Sequence, residues 1–268
     1  MIKVIALDLD NTLLNSKKEI SERNERVLKK LHENGIHIVL CTGRPINAIW
    51  PLVEQLGLTG PDDYTITFNG GLVINNVSKE HLFELGMDRT NLVPLLNFVR
   101  EKNLPLDVLD FEQVYELADQ PRSIYKTILK NIEFQDIAST DLPAKVFSKA
   151  VMAIPAKELQ PVIKGLPEEL KHKYHAVQSQ PMIMEFLPQG VNKMVGLKAL
   201  LDHFALDFSN LMTFGDADND LEMIEAAEKG IVMANGLPEV KAVADEITTS
   251  NDEDGVANYC EQYFASIL

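Results

Sequence analysis

Both ends of the chain alternate short apolar runs with amphipathic stretches. Lys3-Val-Ile-Ala-Leu7 is apolar and rich in β-branched residues, as a buried strand is. Ser21 is placed to cap a helix whose apolar positions Val27, Leu28 and Leu31 recur at helical spacing, with Gly35 where a C-terminal stop belongs. Ile36 to Cys41 predicts a second buried strand, and Pro45 to Leu56 a helix with proline in its first turn. Tyr64 to Phe68 and Leu72 to Ile74 read as strands either side of an Asn69-Gly70-Gly71 turn. The rhythm returns near the C-terminus. A helix from about Asn192 to Phe204 precedes a strand, Leu211 to Phe214, and a helix around Asp220 to Glu228. The strand Ile231 to Ala234, a short helix from Pro238, the strand Glu246 to Thr249 and a last helix complete it. Strands separated by helices of this length predict an α/β, doubly wound, mainly parallel sheet.

The middle breaks the pattern. A helix, Asn91 to Lys102, leads into two closely spaced strands, Leu106 to Leu109 and Val114 to Leu117. Lys149 to Ile154, His175 to Gln178 and Ile183 to Leu187 follow as further strands. Strands without crossover helices favour antiparallel pairing, so residues 81–188 are expected to form an inserted α+β domain. Residues 1–80 and 189–268 form the core.

Composition narrows the function classes. Of 268 residues, 46% are hydrophobic, too many for a disordered chain. No apolar run approaches the roughly 20 residues that span a bilayer. Met1 to Leu9, interrupted by Asp8, does not read as a signal peptide. Two cysteines, Cys41 and Cys260, cannot build a disulfide scaffold, and a cytoplasmic location is expected. A formal charge of −15 argues against a nucleic-acid partner.

Some of the acids are clustered. Asp8 and Asp10 stand where the first strand ends, a place where ligands bind in parallel sheets, although a solvated turn also carries such residues. Asp216, Asp218 and Asp220 follow another apolar strand. A calcium loop of the EF-hand type would need Gly and Glu where Leu221 and Ala227 stand, and is excluded. If both strands share one sheet, Asp8, Asp10 and Asp216 converge at its edge. Carboxylates about 4 Å apart repel by roughly 4 kcal/mol at an effective dielectric near 20, a cost that a divalent cation removes. An all-oxygen donor set suits Mg²⁺ better than Zn²⁺. Thr42-Gly43-Arg44, after the second strand, and Lys193 supply hydroxyl, N–H and ammonium donors suited to a phosphoryl group, though each alone is ordinary at a strand end or helix start.

Taken together, Asp8-x-Asp10, Thr42-Gly43-Arg44, Lys193 and Gly215-Asp216-x-x-Asn219-Asp220 resemble the haloacid dehalogenase (HAD) superfamily of phosphotransferases along the whole chain. The insertion, the Phe68-Asn69-Gly70-Gly71 turn and the stretch Met184 to Lys193 resemble its Cof-type branch, most of all the bacterial sugar-phosphate phosphatases. The resemblance implies an Mg²⁺-dependent phosphomonoesterase acting on small phosphorylated metabolites through an aspartyl-phosphate. Asp8 would be the nucleophile and Asp10 the general acid and base. Asp8, the Asp10 carbonyl and Asp216 would hold Mg²⁺, with Asp220 supporting the metal or Lys193 from behind. Leu9, Asp10, Thr42, Gly43, Lys193 and Asn219 would bind the phosphoryl group, Lys193 also acting catalytically. Arg44, Asn69, Gly70 and Glu185 would meet the substrate, and Arg122, Tyr125 and Lys126 are further candidates in the inserted cap. Asn11 replaces the family's usual Gly, at a turn where Asn tolerates a left-handed backbone. A sugar phosphomutase, a phospho-accepting receiver and a metabolite-binding protein remain as alternatives, and the oligomeric state stays open.

Overall fold

A computed structural model describes residues 1–129 and 133–268 and divides the chain into two compact units. One joins Met1–Glu84 to Asn192–Leu268, and the other is Leu85–Val191. In chain order the first stretch contributes β1 (Val4–Leu7), α1 (Glu22–Glu33), β2 (His37–Leu40), α2 (Trp50–Gln55), β3 (Tyr64–Thr67), β4 (Leu72–Asn75) and β5 (His81–Glu84). The middle holds α3 (Arg89–Lys102), β6 (Asp107–Leu109), β7 (Val114–Leu117), α4 (Tyr125–Ile128), β8 (Phe134–Ile137) and β9 (Lys149–Ala153). It continues with α5 (Ala156–Lys164), α6 (Glu168–Lys173), β10 (Tyr174–Gln180) and β11 (Ile183–Pro188). The last stretch is α7 (Lys193–His203), β12 (Leu211–Gly215), α8 (Leu221–Ala226), β13 (Lys229–Val232), α9 (Pro238–Lys241), β14 (Glu246–Ile247) and α10 (Gly255–Tyr263).

In the first unit five parallel strands run in the order β14-β13-β12-β1-β2. β1 is buried along its whole length, because helices cover both faces of a parallel sheet. Val4, Ala6 and Val39 pack with Leu197, Leu200 and Met223 from the helices. Ser21 caps α1 by accepting the Asn24 N–H, and Gly35 ends it at φ 82°. A single parallel bridge, Cys41 to Ile66, joins this sheet to an antiparallel one of β3, β4 and β5. β5 extends this unit to Glu84, four residues past the expected cut at 80. The second cut falls after Val191, three residues past 188. The alternation pattern missed β5 because none of its side chains is buried.

Two expectations need correction. Pro45 to Leu56 is not one helix: a 3-10 turn at Ile46–Ala48 gives way to α2. Pro51 lies in the first turn of α2 and has no N–H to give to the turn before it, so the ladder cannot run through. In the second unit β8 pairs parallel with β7, although only antiparallel pairing was expected there. The chain between them carries α4, and such a crossover allows a parallel return.

The second unit holds a six-stranded sheet ordered β10-β11-β9-β6-β7-β8. Its apolar core gathers Leu92, Leu95 and Val99 of α3 against Val108, Tyr115, Met152 and Phe186. On one face a row of directly opposed residues reads Glu185, Val151, Asp107, Glu116 and Asp136. Glu185 pairs with Lys149 at 3.0 Å, while Arg122 lies 3.2 Å from Glu116 and 2.7 Å from Asp136. Asp107 is fully buried, and among the described residues neither of its carboxylate oxygens completes a hydrogen bond. Burial pushes its pKa up to about 7, tempered by the nearby Ser123 hydroxyl. A carboxyl raised in this way stabilises the fold fully below its unfolded value of 3.8, and that contribution is lost as pH rises through 7. Asp107→Leu should therefore stabilise the protein by about 3 kcal/mol at pH 8, the gain shrinking towards pH 4. Denaturant unfolding at both pH values measures it, and an equal effect at pH 4 and pH 8 would contradict the assignment. Among the described residues no helix is long and apolar enough to cross a membrane.

Candidate active site

β1 and β12 are neighbours in register, Leu7 opposite Phe214, so the residues after them leave the sheet edge side by side. The Asp8 N–H donates to the Phe214 carbonyl at 3.0 Å. On the other flank Leu7 faces Leu40, and the Cys41 N–H donates to the Leu7 carbonyl, which brings Thr42 to the same edge. Two stretches some two hundred residues apart thus meet because their strands are adjacent.

Asp8, Asp216 and Asp220 are buried, and one carboxylate oxygen of each lies within 4.8 Å of the others. Gly215 makes room for this, since a Cβ there would stand 2.6 Å from that of Asp220. Lys193 opens α7, whose Asn192 cap accepts the Val195 N–H at 3.0 Å. The Lys193 ammonium, fully buried, donates to Oδ1 of Asp8 and to Oδ1 of Asp220, each at 2.5 Å. The second Asp220 oxygen accepts the N–H groups of Asp216 and Ala217 at 2.9 and 3.1 Å. That carboxylate is fully engaged in holding the lysine and the loop. Thr12 donates its hydroxyl to Asp216 Oδ1 at 2.9 Å, reached through a turn in which Asn11 takes φ 63°.

The electrostatics follow from burial. Desolvation opposes the Lys193 charge, but Asp8 and Asp220 outweigh it and hold its pKa above the usual value. Burial raises Asp8 against the pull of Lys193, and it raises Asp216 against the Thr12 hydrogen bond. Three carboxyl groups gather around one ammonium, and the set is all oxygen with neither imidazole nor thiolate. These residues fit a hard divalent cation. Burial pushes the neighbouring Cys41 thiol up to about 12, which leaves it inert.

Asp10 faces another way. Arg44 forks onto it, Nε to Oδ2 at 2.8 Å and Nη2 to Oδ1 at 2.6 Å, and Lys18 reaches Oδ1 at 2.8 Å. The Arg44 hydrogen bonds lead in lowering the Asp10 pKa to about 2, against partial burial. Arg44, expected at the substrate, thus has a carboxylate partner within its own unit. Thr42 is buried, and its hydroxyl accepts the Arg44 N–H at 3.1 Å. Gly43 and Asn219 are exposed, and the Asn219 amide donates to Asn69 Oδ1 at 3.1 Å. The Leu9 side chain is fully buried, so only its backbone is available to a ligand. Gly70, at φ 94°, lies against the Asn192 carbonyl. Glu185 belongs to the other unit and pairs with Lys149. Of the remaining cap candidates, Arg122 is committed to Glu116 and Asp136, Tyr125 is buried, and the Lys126 ammonium lies 5.6 Å from the Phe134 ring.

Sequence reasoning missed Thr12 and Lys18. Thr12 lies inside the Asp8-to-Leu13 stretch, where a hydroxyl two residues past the second acid was the available signal. Lys18 had none, because its approach to Asp10 depends on its own left-handed backbone, φ 64°.

The haloacid dehalogenase-like hydrolase family profile matches residues 5–260. A solved haloacid dehalogenase-like hydrolase from Bacteroides thetaiotaomicron is 35% identical, with a TM-score of 0.83 over 98% of this chain and 100% of that one. A Bacillus subtilis (strain 168) protein named 5-amino-6-(5-phospho-D-ribitylamino)uracil phosphatase YitU is 30% identical over 272 residues, 98% of this chain and 97% of its own. The HAD subclass IIB sugar phosphatase BT4131 shares the fold at a TM-score of 0.74 and 24% identity, over 99% of this chain and 100% of that one. The chain belongs to the haloacid dehalogenase-like hydrolase family, in its Cof-type phosphatase branch.

Proposed function

We propose that the protein is an Mg²⁺-dependent phosphomonoesterase that hydrolyses small phosphorylated metabolites, sugar phosphates foremost, through an aspartyl-phosphate on Asp8. The observation that carries this reading is the buried Lys193 ammonium bridging Asp8 and Asp220, with Asp216 beside them at the sheet edge. A receiver or a passive binding protein has no need of a second acid, and here Asp10 stands two residues from Asp8.

In the first step Asp10, released from the Arg44 fork, takes up a proton from solvent. An Asp8 oxygen attacks phosphorus, the bond from phosphorus to the leaving oxygen breaks, and Asp10 passes its proton to that oxygen. In the second step water attacks the phosphoryl group and passes a proton to Asp10, and the bond from phosphorus to Asp8 breaks. Asp10 exchanges the Arg44 fork for the leaving oxygen in the first of these. The ionised form that Arg44 and Lys18 favour is the one that activates water in the second. Lys193 keeps Asp8 oriented and offsets the repulsion between it and an anionic substrate. Thr42, Gly43, the Leu9 and Asp10 backbone and Asn219 receive the phosphoryl oxygens. Asp8, the Asp10 carbonyl and Asp216 would hold the cation, with Asp220 behind them. When bound, the cation supplies charge neutralisation at the phosphoryl oxygens.

A panel of phosphorylated sugars, cofactors and nucleotides, assayed for released phosphate with Mg²⁺ and again after chelation, tests this. Turnover of several sugar phosphates is expected, falling by at least about a hundredfold with chelator. Undiminished turnover in chelator would remove the metal from the reading. An isomerised sugar phosphate without free phosphate would make the enzyme a mutase.

A further inference from the structure

We propose that Asn69 is a positioning residue that acts through Asn219, holding its amide where a phosphoryl oxygen is received. This rests on the phosphatase reading above, because it explains how that site keeps one of its donors in place. Phe68, Asn69 and Gly70 take φ of 51°, 54° and 94° in succession. Left-handed backbone is strained for a bulky residue such as Phe, and a turn of this kind persists only where its surroundings over-determine it. The surroundings here are the segments that carry the phosphoryl donors. The Phe68 N–H donates to the Arg44 carbonyl at 3.4 Å, and the Asn69 N–H donates to the Thr42 carbonyl at 3.0 Å. Gly70 sits so close to the start of α7 that a Cβ would stand 1.9 Å from the Asn192 oxygen and 3.1 Å from the Lys193 Cα. The Asn69 side chain lies over Gly43, where a Cβ would stand 2.8 Å from Asn69 Oδ1.

That same Oδ1 accepts the Asn219 amide at 3.1 Å. One turn therefore touches Thr42-Gly43, Lys193 and Asn219 together. Asn219 is exposed on a 3-10 turn, and Asn69 is its side chain's hydrogen-bond partner among the described residues. Tying one N–H of that amide fixes its plane and leaves the second N–H for the ligand. Were only the backbone at issue, glycine would fill position 69 without strain. The asparagine combines tolerance of the left-handed region with an acceptor that Gly cannot supply.

A double-mutant cycle tests this, using saturation kinetics on p-nitrophenyl phosphate and inhibition by orthovanadate. Asn69→Gly should raise KM and the vanadate inhibition constant about fivefold, the worth of one lost neutral hydrogen bond, with kcat changed less. In an Asn219→Ala background the same substitution should have almost no effect, because the group it positions is gone. Thermal midpoints check the fold, which glycine should not weaken at φ 54°. An Asn69→Gly effect of undiminished size in the Asn219→Ala background would overturn the proposal, since Asn69 would then meet the phosphoryl group itself. No effect in either background would overturn it also, leaving the turn a structural link. Loss of turnover in Asp8→Asn together with a normal KM in Asn219→Ala would defeat this inference alone. An active Asp8→Asn would defeat the phosphatase reading and this inference with it.

Discussion

Asp8→Asn should abolish turnover of every phosphate ester, by about a thousandfold or more, while the protein folds as before. An amide is nearly the size and shape of a carboxylate, and its oxygen can still accept the Lys193 ammonium as Asp8 Oδ1 does. What it lacks is the charge and lone-pair reactivity that the proposed acyl phosphate requires. The stability side is informative too. Burial already disfavours the Asp8 charge, so a neutral group in its place should leave the thermal midpoint unchanged or higher. Phosphate release and thermal unfolding on the same preparation measure both effects. Substantial turnover by the variant would remove Asp8 from its role, and a large fall in midpoint would show that its charge holds the site together.

Lys193→Met should lose on both counts. The methionine fits the volume of the lysine stem, but it leaves Asp8 and Asp220 buried and facing each other without the ammonium that bridges them at 2.5 Å. Removing one member of a buried ionic network costs about 3–5 kcal/mol, so the thermal midpoint should fall by about 10 °C at pH 8. Lowering the pH protonates the stranded carboxylates, and the deficit against the parent protein should shrink through the acid range. Turnover should fall by at least about a hundredfold, as it does when a charge stabiliser is removed from a developing oxyanion. An equal deficit at pH 5 and pH 8 would mean that lost packing, not stranded charge, is responsible.

Much of the candidate site was legible because its motifs are local. Asp8 and Asp10, Thr42 and Gly43, and Gly215 to Asp220 each follow an apolar strand, and the end of a strand is where a parallel sheet presents its ligands. Less legible was anything that depends on where a side chain turns. Asp220 was expected to back the metal or Lys193, and the structure shows its carboxylate held by the lysine and two backbone N–H groups. Arg44 was expected at the substrate, and the structure shows it closing a fork on Asp10. No spacing rule announces that pair, thirty-four residues apart, because it follows from the loop geometry at two neighbouring strand ends. β5 and β8 were missed for a related reason: half-exposed strands carry no clean alternation to read.

By itself the sequence determined the α/β core, the presence of a second unit between its halves, and the residue types able to handle a phosphoryl group. These follow from hydrophobic periodicity and from the chemistry of carboxylate, hydroxyl and ammonium, both of which are written locally along the chain. Tertiary structure alone decided that β12 lies next to β1, that one lysine at the start of α7 reaches two aspartates, and that the 68–70 turn is tied to the Thr42 and Asn219 loops. Strand order and side-chain reach depend on how distant segments share one buried volume, and no window of neighbouring residues contains that information.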